Sequence, residues 1–133
     1  MCKKIRVVVV DDDEAMHDIL QDLYSDSEVI EIIYNYTEPG LFLADLDKLN
    51  FDLCLLDVSM PEVDGITIAQ QLAGRPYIFI TGSTDQLHSG VSVSPIDIVP
   101  KPFNKGRLDS ALLKVEKLFG WKTDTEKKPD IIP

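Results

Sequence analysis

Apolar residues recur along this chain as short solid runs, each followed by a stretch with helical spacing, and the alternation repeats. IRVVVV, Ile5 to Val10, is a β-branched run of the kind that forms a strand buried on both faces. EAMHDILQDLYS then sets Ala15, Met16, Ile19, Leu20 and Leu23 at helical spacing, with Asp12, Asp13 and Glu14 at the end where negative charge suits the helix dipole. EVIEIIYNYT reads as a second strand and EPGLFLADLDKL as a second helix, opened by Pro39 near its first turn. DLCLLDV is a third strand ending at Asp57, and SMPEVDG follows with Pro61 and an Asp64-Gly65 turn signal. Ile66 to Ala73 make a short third helix closed by Gly74, YIFIT a fourth strand and IDIV a fifth. The last segment, NKGRLDSALLKVEKLF, is amphipathic, with Leu108, Leu112, Val115 and Leu118 on one stripe. GSTDQLHSGVSVSP is rich in glycine and serine, so a fourth helix there is shortened or irregular.

Five strand–helix repeats predict an α/β fold: a (βα)5 doubly wound, five-stranded parallel sheet with helices on both faces. A chain of 133 residues holds one core, which residues 4–119 fill. Residues 120–133, GWKTDTEKKPDIIP, are polar with two prolines and read as a linker or flexible C-terminal tail. The formal net charge of -10 repels polyanions, and the lysines are scattered, so no direct nucleic acid binding by this domain is expected. The apolar runs are too short to span a membrane, and Met1 leads into the first strand without the apolar core of a signal peptide, so the chain reads as cytoplasmic with no membrane partner. The cysteines are Cys2 and Cys54; the second lies within an apolar run and reads as a small buried hydrophobe, not half of a disulfide.

In doubly wound sheets, chemistry collects beyond the carboxyl ends of the strands. Asp11 and Asp12 end the first strand, Asp57 the third and Thr81 the fourth, while Lys101 follows the fifth. Three carboxylates on one edge repel one another, and hard oxygen ligands favour Mg2+ as the compensating charge. Lys101 offers a second cation, and the Thr81 hydroxyl a hydrogen-bond donor for a phosphoryl oxygen. Positioning and charge neutralisation of this kind are enough for transfer of a phosphoryl group to a carboxylate. Other polar residues have plainer readings. Asp13 is a helix-start charge, Asp64 with Gly65 makes a turn, His17 and His88 are solvated surface, and Trp121 packs the last helix end or belongs to an interface.

Four motifs in order, VVVVDDDE, LLDVSMPEVDG, FITGS and VPKPF, make the chain resemble the CheY-like receiver domain of bacterial response regulators from about Ile5 to Phe119. The resemblance implies a flavodoxin-like sheet in the order 2-1-3-4-5. It also assigns roles: Asp57 the phosphoacceptor, Asp12 the direct Mg2+ ligand, Asp11 the carboxylate holding metal-bound water, and the backbone carbonyl of Ser59 a further ligand. Thr81 and Lys101 correspond to the pair that grips the phosphoryl oxygens, and the Lys101-Pro102 bond is expected to be cis. The partner implied is a cognate sensor histidine kinase, with a homodimer forming on phosphorylation, and the domain is no enzyme beyond its own phosphorylation and dephosphorylation.

The short spans from Gly65 to Gly82 and from Thr81 to Lys101 look like the receivers joined to LytTR-type DNA-binding domains, which would make the full protein a transcription regulator. The small Ser59 and Ser83, at positions that govern water access in receivers, imply a short-lived phosphoryl state. Ile98 departs from the pattern, because receivers usually carry Tyr or Phe three residues before the lysine, and this puts the coupling to output in doubt. Two rival readings stand beside this one: a phosphate-independent interaction module with the same fold, and a haloacid-type phosphohydrolase, for which the chain is short.

Overall fold

In the computed structural model, which describes residues 4–82 and 93–120, each solid apolar run is a strand. β1 (Ile5–Val10), β2 (Ile30–Tyr36), β3 (Leu53–Leu56), β4 (Tyr77–Thr81) and β5 (Asp97–Pro100) form one parallel sheet in the order β2-β1-β3-β4-β5. Between and after them run α1 (Glu14–Tyr24), α2 (Pro39–Asp45) with a 3-10 turn at Leu46–Lys48, α3 (Gly65–Gln71) and α4 (Lys105–Phe119). This is the doubly wound α/β arrangement that the alternation predicts, in the flavodoxin-like strand order that the resemblance implies. The irregular helix expected between β4 and β5 falls on residues 83–92, outside the described residues, as do Ser83, His88, Trp121 and the tail from 121 onward.

Successive strand side chains point to opposite faces, so solid apolar runs feed two cores at once. Val7, Val9, Leu53, Leu55, Ile78 and Ile80 meet Met16, Leu20 and Tyr24 of α1 and Leu108, Leu112 and Val115 of α4. Val8, Val10, Cys54, Leu56 and Phe79 meet Phe42 of α2 and Ile68 and Ala69 of α3 on the other face. Each fully buried side chain of this size contributes about 1.5–3 kcal/mol from leaving water. Cys54 is fully buried among them, as expected, and burial pushes its thiol pKa up.

Two helix faces differ from their sequence reading. On α1, Met16, Leu20 and Tyr24 turn inward with His17, whereas Ile19 is 46% exposed. On α4 the stripe runs through Leu108, Ala111, Leu112 and Val115 toward Phe119, leaving Leu118 61% exposed. With 3.6 residues per turn, a stripe that starts at 108 returns to the sheet at 119, not at 118. Three of the four described α-helices start with a side-chain cap: Asp13 accepts from the Ala15 N–H at 3.0 Å, Asp64 from the Thr67 N–H at 2.9 Å and Asn104 from the Arg107 N–H at 2.8 Å. Asp13 is thus the helix-start charge expected of it, and Asp64 is a cap more than a turn residue.

Candidate functional site

Hydrogen bonding continues one residue past the strand ends and thereby sets the acids in place. The Asp11 N–H donates to the Tyr36 carbonyl at 3.0 Å and the Asp57 N–H to the Val10 carbonyl at 3.0 Å. Since β1 and β3 lie side by side where the strand order reverses, Asp11 and Asp57 emerge together at the crevice that this topology opens. Asp12 follows at the start of the turn into α1. Ligand oxygens of Asp11, Asp12 and Asp57 lie within 4.8 Å of one another; Asp11 and Asp57 are buried and Asp12 is exposed.

Lys101 reaches the same point from β5. Its N–H donates to the Thr81 carbonyl at 2.9 Å, its peptide bond to Pro102 is cis, and its ammonium stands 2.8 Å from Asp11 Oδ2 and 3.5 Å from Asp57 Oδ2. Thr81 is fully buried at the end of β4, and the Ser59 N–H is hydrogen-bonded to the Asp57 carboxylate.

Burial raises the pKa of Asp57, and the Asp11 charge adds to the rise; Lys101 and the Ser59 N–H oppose it. Burial works to lower that of Lys101, but the hydrogen bond to Asp11 and the charges of Asp11 and Asp57 outweigh it, so the ammonium is held more firmly than usual. One ammonium faces three carboxylates. That donor set fits a small hard dication, which takes carboxylate and carbonyl oxygens and leaves room for a phosphate oxygen.

Three contributors escape the sequence reading. His17, expected to be solvated, is 8% exposed: its Nε2 lies 2.8 Å from the Asp11 carbonyl and its Nδ1 2.8 Å from Asn35 Oδ1. The spacing of His17 with Leu20 and Tyr24 was the available signal, because i, i+3 and i+7 share one helix face. Asn35 gave none. Gly65 is more than a turn residue, since a Cβ there would overlap the Asp57 carbonyl oxygen and stand 2.8 Å from Val58 Cα. Ile98 is half-buried and packs against the core on the α2 and α3 face.

The profile of the response regulator receiver domain matches residues 7–113. The chain belongs to that family. Among curated relatives, this receiver is 33% identical to the transcriptional regulatory protein RprY of Bacteroides fragilis over 81% of the chain and 48% of the relative. It is 30% identical to a protein-glutamate methylesterase/protein-glutamine glutaminase of Rhodopseudomonas palustris over 75% of the chain and 30% of the relative. The receiver therefore spans less than half the length of either. Its fold is similar to that of the response regulatory domain of mrkE from Klebsiella pneumoniae, with a TM-score of 0.77 at 22% identity over 87% of this chain and 98% of that one. Among the described residues no helix is long and apolar enough to cross a membrane.

Proposed function

We propose that this receiver takes a phosphoryl group from a sensor histidine kinase onto Asp57, in a Mg2+-dependent reaction, and so switches an output lying outside this chain. The observation that carries the reading is the convergence of Asp11, Asp12 and Asp57 with the Lys101 ammonium at one sheet edge. An Asp57 carboxylate oxygen attacks phosphorus, the bond from phosphorus to the donor imidazole nitrogen breaks, and the released imidazole takes a proton from solvent. Lys101 neutralises charge on the moving phosphoryl oxygens and the Thr81 hydroxyl donates to one of them. Asp11, Asp12, Asp57 and the Ser59 carbonyl would hold the metal. Mg2+, when bound, offsets the negative charge that phosphate adds to an already acidic pocket. Hydrolysis of the acyl phosphate resets the switch, so the domain catalyses only its own phosphorylation and dephosphorylation.

The domain occupies residues 4–119, and the tail beyond it links to the output. We read that output as transcription through a LytTR-type DNA-binding domain, supported by the short seven-residue α3 helix; RprY, by name a transcriptional regulatory protein, supports transcription alone. The cytoplasm, where kinase and DNA meet, is the compartment that this reading requires, and phosphorylation draws two copies together.

Intact-protein mass spectrometry after incubation with acetyl phosphate tests the chemistry. One added phosphoryl group that requires both Mg2+ and Asp57, and is absent from Asp57→Asn, is the expected result. No adduct, together with no binding of beryllofluoride, would leave a phosphate-independent interaction module with a receiver fold.

A further inference from the structure

We infer that His17 is a positioning residue of the metal site, holding the peptide between Asp11 and Asp12 at the angle that aims both carboxylates into the crevice. The inference rests on the reading that these acids hold Mg2+. His17 sits on the inner face of α1 and is buried although imidazole is polar. Its Nε2 meets the Asp11 carbonyl at 2.8 Å. A carbonyl offers only lone pairs, so Nε2 carries the hydrogen and donates. The other ring nitrogen lies 2.8 Å from the Asn35 side-chain amide on β2; with Nε2 donating, Nδ1 accepts, so the amide must turn its NH2 group rather than Oδ1 toward the ring to fix the ring plane.

That carbonyl belongs to the planar unit that also contains the Asp12 N–H. Turning it turns Asp12. Asp11 itself is tied at every polar atom: its N–H to the Tyr36 carbonyl, Oδ1 to the Asp13 N–H at 2.9 Å, Oδ2 to Lys101 and its carbonyl to His17. The first three ties hold the Asp11 N–H and carboxylate, the Asp13 bond also closing a turn around the peptide that leads to Asp12, but none of them anchors that peptide's own carbonyl to the surrounding elements. The His17 tie does, by joining the metal-binding turn to α1 and β2 at once. An apolar residue would fill the same space between the helix and the sheet but would leave the carbonyl without that donor. Groups that orient ligands from behind affect metal affinity by about ten-fold to a hundred-fold.

The test uses the full chain and compares wild type with His17→Leu, His17→Gln and Asn35→Ala, measuring Mg2+ affinity by isothermal titration calorimetry and melting temperature in EDTA. His17→Leu is expected to weaken Mg2+ binding about ten-fold while melting within about 4 °C of wild type without metal. His17→Gln, which keeps an N–H near the Nε2 position, restores affinity to within about three-fold, and Asn35→Ala loses about three-fold. Wild-type affinity in His17→Leu, or an equal loss in the Gln and Leu variants, would overturn the inference. Should His17→Leu not fold, an Asn35→Ala protein with wild-type affinity would overturn it instead. Wild type that binds no Mg2+ would overturn the metal-site reading and this inference with it, which separates the two failures.

Discussion

Replacing Gly65 by alanine places a methyl group against the backbone of the loop that carries Asp57. The added Cβ would overlap the Asp57 carbonyl oxygen and lie 2.8 Å from Val58 Cα and 2.9 Å from the Asp57 carbonyl carbon, where ordinary contact begins near 3.4 Å. All three are main-chain atoms, so no rotamer change relieves the overlap and the loop itself must retreat by roughly an ångström. Overpacking of this kind costs about 1–3 kcal/mol, and here it also strains the 2.8 Å hydrogen bond from the Gly65 N–H to the Val58 carbonyl, a further loss of about 1 kcal/mol. Alanine recovers about 0.5–1 kcal/mol through helix propensity and a less flexible unfolded chain. The net loss is about 1–3.5 kcal/mol, a large share of a typical 5–15 kcal/mol stability. With a urea slope of about 2 kcal/mol per molar, the unfolding midpoint should fall by about 0.5–1.7 M. Because the same displacement moves Asp57 against Lys101, phosphorylation by acetyl phosphate should slow by about ten-fold or more. Gly40, in α2, has open space around its Cβ position, so Gly40→Ala should hold or slightly raise the midpoint. A Gly65→Ala protein with the wild-type midpoint and phosphorylation rate would refute the reasoning.

The remaining predictions concern charge. Asp97 accepts from Arg107 Nη1 and Nη2, each at 3.1 Å, and from Lys114 Nζ at 3.0 Å; the Arg107 bonds above all, against an opposing effect of burial, hold its pKa down to about 2. A depressed carboxylate stabilises above its unfolded value near 4 and loses that contribution as pH falls through about 2. Because Lys114 is exposed and Arg107 only half-buried, screening reduces it to about 1 kcal/mol. Urea midpoints of wild type and Asp97→Asn should therefore differ at pH 7 and converge near pH 2; a constant gap at every pH would refute this. Asp57 is the opposite case, raised by burial and then by Asp11. The cost of its ionisation sets in as pH rises past the unfolded value near 4 and is complete above the raised folded value, so Asp57→Asn should melt a few degrees higher than wild type in EDTA at pH 7.5, and a lower melting temperature would contradict the electrostatic argument. Mg2+ should raise the melting temperature of wild type much more than that of Asp57→Asn.

Local physics made the strands and the acidic edge legible in the chain itself. A strand covered on both faces has no polar alternation, so IRVVVV and YIFIT announced central strands, and the acids immediately after IRVVVV and LCLL had to emerge at one edge of a parallel sheet. Asp13 could be read as a cap because capping depends on a residue's own neighbours. The inward face of α1 could not be read so simply: Ala15, Met16, Ile19, Leu20 and Leu23 describe a band wider than the sheet covers, and packing chose the part that brings His17 inside and leaves Ile19 out. Nothing local to Gly65 says that the main chain of Asp57 passes against it. Likewise Lys101 and Asp11 are 90 residues apart, and they meet because β1, β3, β4 and β5 are laid side by side with their ends level. By itself, then, the sequence determined the types of the described elements, the parallel sheet and the acids at its carboxyl-end edge, since these follow from hydrophobic period and hydrogen-bonding chemistry within a few residues. Only the tertiary structure decided which helix face is buried, which glycine must stay bare and which cation answers which acid, because those depend on distances between segments far apart in the chain.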